Sequence, residues 1–196
     1  MIISEKLSKK ISSDLTGRGM LKEEYLDSYA YSLEFLFDMV LFNASLIVIG
    51  AIFHRIVPAL IFIITMTPIR MVAGGAHGRS RLSCEIVSYS IFAAVTLISS
   101  ILIINPVICF AISVSIAFGI IILSPVDTSG RKRVREHIKQ LRTLCLIFCS
   151  LIILLEYIFI INDYPIGNTV ILLCLITIFV NQILGRITIR LRNNST

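Results

Sequence analysis

Six apolar runs, separated by short segments that hold nearly all of the charge, decide what this chain can fold into. They fall at 39–53, 56–69, 86–104, 106–124, 143–161 and 166–184. The last four are 19 residues each, close to the ~20 that a hydrocarbon core about 30 Å thick requires at a rise of about 1.5 Å per residue. The first two hold 15 and 14 residues and would reach only about 21–23 Å as helices. Just His54-Arg55 separates them, so they read either as a short helical hairpin or as a re-entrant pair, with 33–38 available to lengthen the first. The expectation is an all-α integral membrane protein with about six membrane-embedded helices, four of them full spans, and an amphipathic helix ahead of them.

Composition points the same way. Hydrophobic residues make up 56% of the chain, charged residues 15%, and the mean hydropathy is +0.90, well past the apolar usage of about 45–50% typical of soluble domains. Tryptophan is absent and there are six Tyr, which makes for a weak aromatic belt, and the helix ends are read from charge instead. With the amino terminus inside, segments 1–38, 70–85, 125–142 and 185–196 are cytoplasmic and carry 17 of the 18 Lys and Arg, leaving only Arg55 outside. That is the distribution the positive-inside rule favours. A re-entrant first pair would leave every later loop on the same side, so both models put 70–85 on the cytoplasmic face of a cell membrane.

Two regions follow: a cytoplasmic amphipathic region, 1–38, and a polytopic membrane domain, 39–196, with a loop of interest at 70–85 and a basic loop at 125–142. Nothing in 1–38 reads as a cleaved secretory signal, which would place an apolar run and a small-residue site directly after a basic start. Ile3, Leu7, Ile11 and Leu15 instead recur every fourth residue. This stripe fits a helix lying on an anionic inner leaflet, or one packed on the protein's own loops, and Gly17 and Gly19 end it. Arg131, Lys132, Arg133 and Arg135, with Lys139 and Arg142, form either a topology anchor beside acidic lipid or a dock for an acidic peptide tail. Nucleic acid is a poor fit, since no aromatic interleaving accompanies these charges.

The loop 70–85 reads Arg70-Met-Val-Ala-Gly-Gly-Ala-His77-Gly-Arg-Ser-Arg-Leu-Ser-Cys84-Glu. Cysteine attacks as the thiolate, which a neighbouring base or a helix amino terminus favours. On one unbroken helix His77 and Cys84 would stand about 10.5 Å apart along the axis, beyond the roughly 2.6–3.2 Å at which a base acts on a nucleophile. Gly74, Gly75 and Gly78 offer the needed break, and Pro68 disfavours helix continuity just before them. Cys84 then falls in the first turn of the next helix, with Ser80 or Ser83 as its cap. An ordinary loop with a structural Cys stays open on these residues alone. The spacing suits no metal site. Cys109, Cys145, Cys149 and Cys174 lie in apolar runs and read as core residues.

The string Arg70, Gly74-Gly75, His77 and Cys84 between membrane spans resembles the accessory gene regulator B family of Gram-positive bacteria, as does Ser124-Pro-Val-Asp127 heading a basic loop. The similarity extends over essentially the whole chain, in length, span number and loop order. Members of that family are membrane cysteine endopeptidases that cut the carboxy-terminal part from a small precursor and help convert the remainder into a cyclic quorum-sensing peptide. By this resemblance Cys84 is the nucleophile, His77 its base, and Glu34, in Tyr31-Ser-Leu-Glu34, a residue that orients His77 or holds substrate. Arg70, Gly75, Arg131, Lys132 and Arg133 become candidate substrate-binding residues. The expected partners are a precursor peptide, anionic lipid and a second copy of the chain, with no cofactor. Gly78 stands where many relatives have Ala, a small-for-small change. The competing reading is a peptide exporter or transporter without covalent chemistry, compatible with Pro58, Pro68 and Pro106, although Glu156 is the main ionisable group within the spans.

Overall fold

The computed structural model describes residues 2–19, 22–76, 81–102, 104–127 and 137–194. The chain divides into two compact units, Met1–Ile49 and Gly50–Thr196. In the first, α1 (Ile2–Gly17) stops where expected, and Gly19 takes a left-handed φ of 71°. Its buried side chains are Ser8 and Ser12, one turn apart, whereas Leu7 is exposed. The covered face is therefore turned about a quarter of the way round the helix from the centre of the apolar stripe.

A short 3-10 turn, Glu23–Tyr25, leads into α2 (Leu26–Ile52), which runs on into the second unit. The first apolar run is thus only the later part of a 27-residue helix. Its length was hidden by polar residues such as Ser32, Glu34 and Asp38, which interrupt hydropathy but not the backbone ladder. The second run likewise extends into the 18-residue α3 (Ile56–Ala73). With α4 (Arg81–Ile101), α5 (Pro106–Leu123), α6 (Ile138–Ile161) and α7 (Pro165–Asn194), six helices among the described residues are long and apolar enough to cross a membrane. The protein is multi-pass.

Helix α7 organises the second unit, packing against α3, α4, α5 and α6. Its buried side chains Val170, Ile171, Cys174, Leu175 and Ile178 join Ile69 of α3 and Ile120 of α5 in the core. In lipid, apolar burial does not by itself pull helices together, so close packing of small residues and interhelical hydrogen bonds carry the association. Gly119 shows the first: a Cβ there would stand 2.7 Å from the Phe179 ring. Cys109, Cys145, Cys149 and Cys174 are all buried and unbridged, as core residues should be.

The break after α3 is built by two short strands. Helix α3 ends because Gly74 adopts φ 71° and ψ −161°, a region open essentially to glycine alone that costs residues with a Cβ about 1–3 kcal/mol. The chain then enters β1 (Gly74–Gly75), which pairs in parallel with β2 (Val126–Asp127), Gly74 opposite Val126 and Gly75 opposite Asp127. A Cβ on Gly74 would run into the Val126 carbonyl. The two loops singled out by composition, 70–85 and 125–142, are thus joined through Gly74–Gly75 and Val126–Asp127.

Candidate active site

The break required between His77 and Cys84 is present: α3 ends at Ala73 and α4 starts at Arg81. Cys84 is the fourth residue of α4, at the close of its first turn, where the helix dipole favours negative charge. It is half-buried, in contrast to the four fully buried cysteines. Arg70, in the last turn of α3, donates from Nη2 to Cys84 Sγ at 3.6 Å and from Nη1 to Ser88 Oγ at 3.2 Å. Ser88, one turn further along α4, donates its hydroxyl to the Cys84 carbonyl at 2.9 Å. Arg70, expected to hold substrate, is placed on the sulfur itself.

Beyond Arg70 and Cys84, the candidate residues are distributed as follows. His77 lies outside the described residues, as do Gly78, Arg79 and Ser80, and so do Arg131, Lys132 and Arg133. Gly75 is buried in β1, where a Cβ would stand 2.9 Å from Asn181 Oδ1. Glu34 belongs to α2 within the first unit. There Lys9 donates to the Glu5 carboxylate at 2.8 Å, which holds its ammonium above the ordinary lysine range, and Glu34 and Asp27 add to that pull.

Helix α7 supplies what the broken backbone needs. A helix leaves its last four carbonyls without intrahelical partners, and α3 and α5 both end beside α7. Gln182, fully buried, donates through Nε2 to the carbonyls of Ala73 at 3.3 Å and Ile120 at 3.4 Å. Arg186 donates to the Leu123 carbonyl at 2.8 Å. Asn181 Oδ1 accepts from the Ala76 backbone N–H at 2.8 Å, immediately before His77 in the chain. Gly185 completes this support, since a Cβ there would stand 2.9 Å from Ala76 N. On the side of the basic loop, Arg142 donates through Nε to the Ser124 carbonyl at 3.3 Å, and Ser124 Oγ reaches the Val72 carbonyl at 3.5 Å.

Asn181, Gln182 and Ser88 were missed by sequence reasoning. An adjacent pair of amides late in a run as apolar as 166–184 was the available signal, because polar groups inside lipid need partners.

A half-exposed cysteine at a helix start, an arginine on its sulfur and a glycine-strand break buttressed from α7 make up the arrangement. The family model for accessory gene regulator B matches residues 4–181. The chain belongs to that family. Family membership ties it to the processing of the peptide signal in accessory gene regulator quorum sensing, with the precursor of that signal as its partner. No curated protein and no solved structure matches the chain. Within the family match lie Glu34, Arg70, the Gly74-Gly75 strand, His77, Cys84 and Asn181, while Gln182, Gly185 and Arg186 follow directly after it.

Proposed function

We propose that the protein is a membrane cysteine endopeptidase that cuts the carboxy-terminal part from its precursor peptide through an acyl-thioester on Cys84 and promotes cyclisation of what remains. The observation that carries this reading is the position of Cys84: a half-buried cysteine in the first turn of α4, across a glycine break from α3, with a guanidinium donor on its sulfur.

In the first step the Cys84 thiolate attacks the scissile carbonyl, with His77 having taken up the thiol proton. The C–N bond then breaks, and His77 returns the proton to the departing amine. An acyl-thioester enzyme and a free tail result. A thiol or hydroxyl within the bound peptide next attacks the thioester carbonyl, giving up its proton to His77. As the C–S bond to Cys84 breaks, a thiolactone or lactone leaves and the thiolate is restored. Thioester exchange is nearly balanced in energy, so closure depends on keeping water out, which a site at the edge of the hydrocarbon favours.

The remaining assignments belong to the same reading. Gly75 binds substrate through its backbone. Arg131, Lys132 and Arg133 dock an acidic tail, and Glu34 orients His77 or holds substrate. The site, both termini and region 1–38 face the cytoplasm, with α1 against anionic lipid, 39–196 embedded in the membrane and a second copy of the chain as partner.

The test is cleavage of the peptide encoded beside the gene by the full chain in liposomes. Cys84→Ala and His77→Ala should each abolish tail release. Undiminished release by Cys84→Ala would overturn the peptidase mechanism.

A further inference from the structure

The contacts around Cys84 close a ring. Arg70 Nη2 meets Sγ at 3.6 Å, Arg70 Nη1 meets Ser88 Oγ at 3.2 Å, and the Ser88 hydroxyl returns to the Cys84 carbonyl at 2.9 Å. Ser88 therefore uses its hydrogen on the backbone of Cys84 and its lone pair on the guanidinium. Both interactions fix the fork of Arg70 against one sulfur.

We propose that Arg70 is a catalytic residue, the charge partner of Cys84 during thioester formation, and that Ser88 is the positioning residue that aims it. The assignment rests on the reading of Cys84 as nucleophile and gives Arg70 a different task from holding a substrate carboxylate. A guanidinium stays protonated at any pH a protein meets and presents five N–H donors in a planar fork. One of them reaches the sulfur, where the attacking negative charge resides, and a hydrogen bond with a charged partner is roughly twice as strong as a neutral one. When the thiolate attacks, that charge moves to the carbonyl oxygen. This oxygen sits on the carbon newly bonded to Sγ, so the guanidinium that holds the sulfur is placed to meet it as well. Donors that meet a developing oxyanion are worth about 10²–10³ in rate. The location also suits a cation, because Arg70 occupies the last turn of α3, where the helix dipole is negative.

The experiment needs no substrate in its first arm. The full chain in nanodiscs is exposed to iodoacetamide at pH 7, and modification of each cysteine is followed by peptide mass spectrometry. Arg70→Gln should slow alkylation of Cys84 severalfold, since it removes the charged donor from the attacking sulfur. Arg70→Lys, a point charge without the fork, should recover part of the rate, and Ser88→Ala should lose a smaller part. Cys109, Cys145, Cys149 and Cys174 are buried, so their continued protection shows that each variant is folded. If Arg70→Gln fails that check, Arg70→Lys and Ser88→Ala carry the measurement. In the second arm, precursor cleavage should lose kcat at nearly constant KM in Arg70→Gln. Alkylation at the wild-type rate in folded Arg70→Gln, or a defect confined to KM, overturns the assignment. Cleavage that survives Cys84→Ala instead overturns the underlying reading of Cys84, so the two failures are distinguishable.

Discussion

Helix α7 carries polar side chains at two levels, and the two are satisfied in opposite ways. Around Asn181–Arg186, three side chains reach backbone at a helix end or a strand: Asn181 takes the Ala76 N–H, Gln182 donates to the Ala73 carbonyl and to that of Ile120, which also accepts from Ser124 N–H, and Arg186 serves the Leu123 carbonyl, while Gln182 Oε1 has no partner among the described residues. Asn168 lies in the first turn of the same helix, yet its side-chain amide reaches no backbone group among the described residues. There Ser113 donates to Glu156 Oε1 at 3.0 Å, while Glu156 Oε2 and both amide atoms of Asn168 are buried with no partner among the described residues. The polar side chains beside the glycine break thus bond to backbone, whereas Asn168 and one Glu156 oxygen have no partner among the described residues. The broken end is also the end that carries Cys84.

This contrast is open to attack by substitution, and the largest effect is expected at the break itself. Gly74→Ala combines a left-handed φ with a collision against the Val126 backbone and should cost more than about 2 kcal/mol. Size-exclusion profiles in detergent and thermal unfolding will show it. Gln182→Leu follows, leaving the Ala73 and Ile120 carbonyls buried without this donor, at about 1–3 kcal/mol, read as a lower unfolding temperature together with reduced cleavage. Asn181→Leu should be milder in stability, about 1 kcal/mol. Asn181→Asp keeps the acceptor for the Ala76 N–H and should restore cleavage that the Leu variant loses. At the other level, Glu156→Gln and Asn168→Leu should change stability by less than about 1 kcal/mol or raise it, because the first replaces a buried ionisable group with a neutral one and the second removes two polar atoms that have no partner among the described residues. A loss at Asn168 as large as that at Gln182 would erase the distinction between the two levels.

How much of this was legible in the sequence depends on the range over which each feature is specified. Runs of 19 apolar residues announce spans because thickness alone sets the requirement, and α4 to α7 were found that way. The lengths of α2 and α3 were underestimated because hydropathy stops at Asp38 or Arg70, whereas the helical ladder continues. The need for a break between His77 and Cys84 followed from helical rise and three glycines, and α3 and α4 do end on either side of it. The pairing of Gly74 with Val126 had no local signature, since two residues establish no period and the partner lies 52 positions away. The placement of Arg70 on the sulfur was equally hidden, because it depends on how α3 and α4 pack. By contrast, Asn181-Gln182 stands in plain view: two amides late in an apolar run are a demand for partners, met by the backbone of Ala76 and by the Ala73 and Ile120 carbonyls.

The central claim, that Cys84 carries the peptide through a covalent intermediate, is tested most directly by intact-protein mass spectrometry of the reconstituted chain mixed with its precursor and quenched in acid. The account predicts an adduct whose mass equals the precursor less its released tail, mapped to Cys84, removed by hydroxylamine and absent from Cys84→Ala. Tail release at full rate with Cys84 unmodified throughout the time course would contradict it.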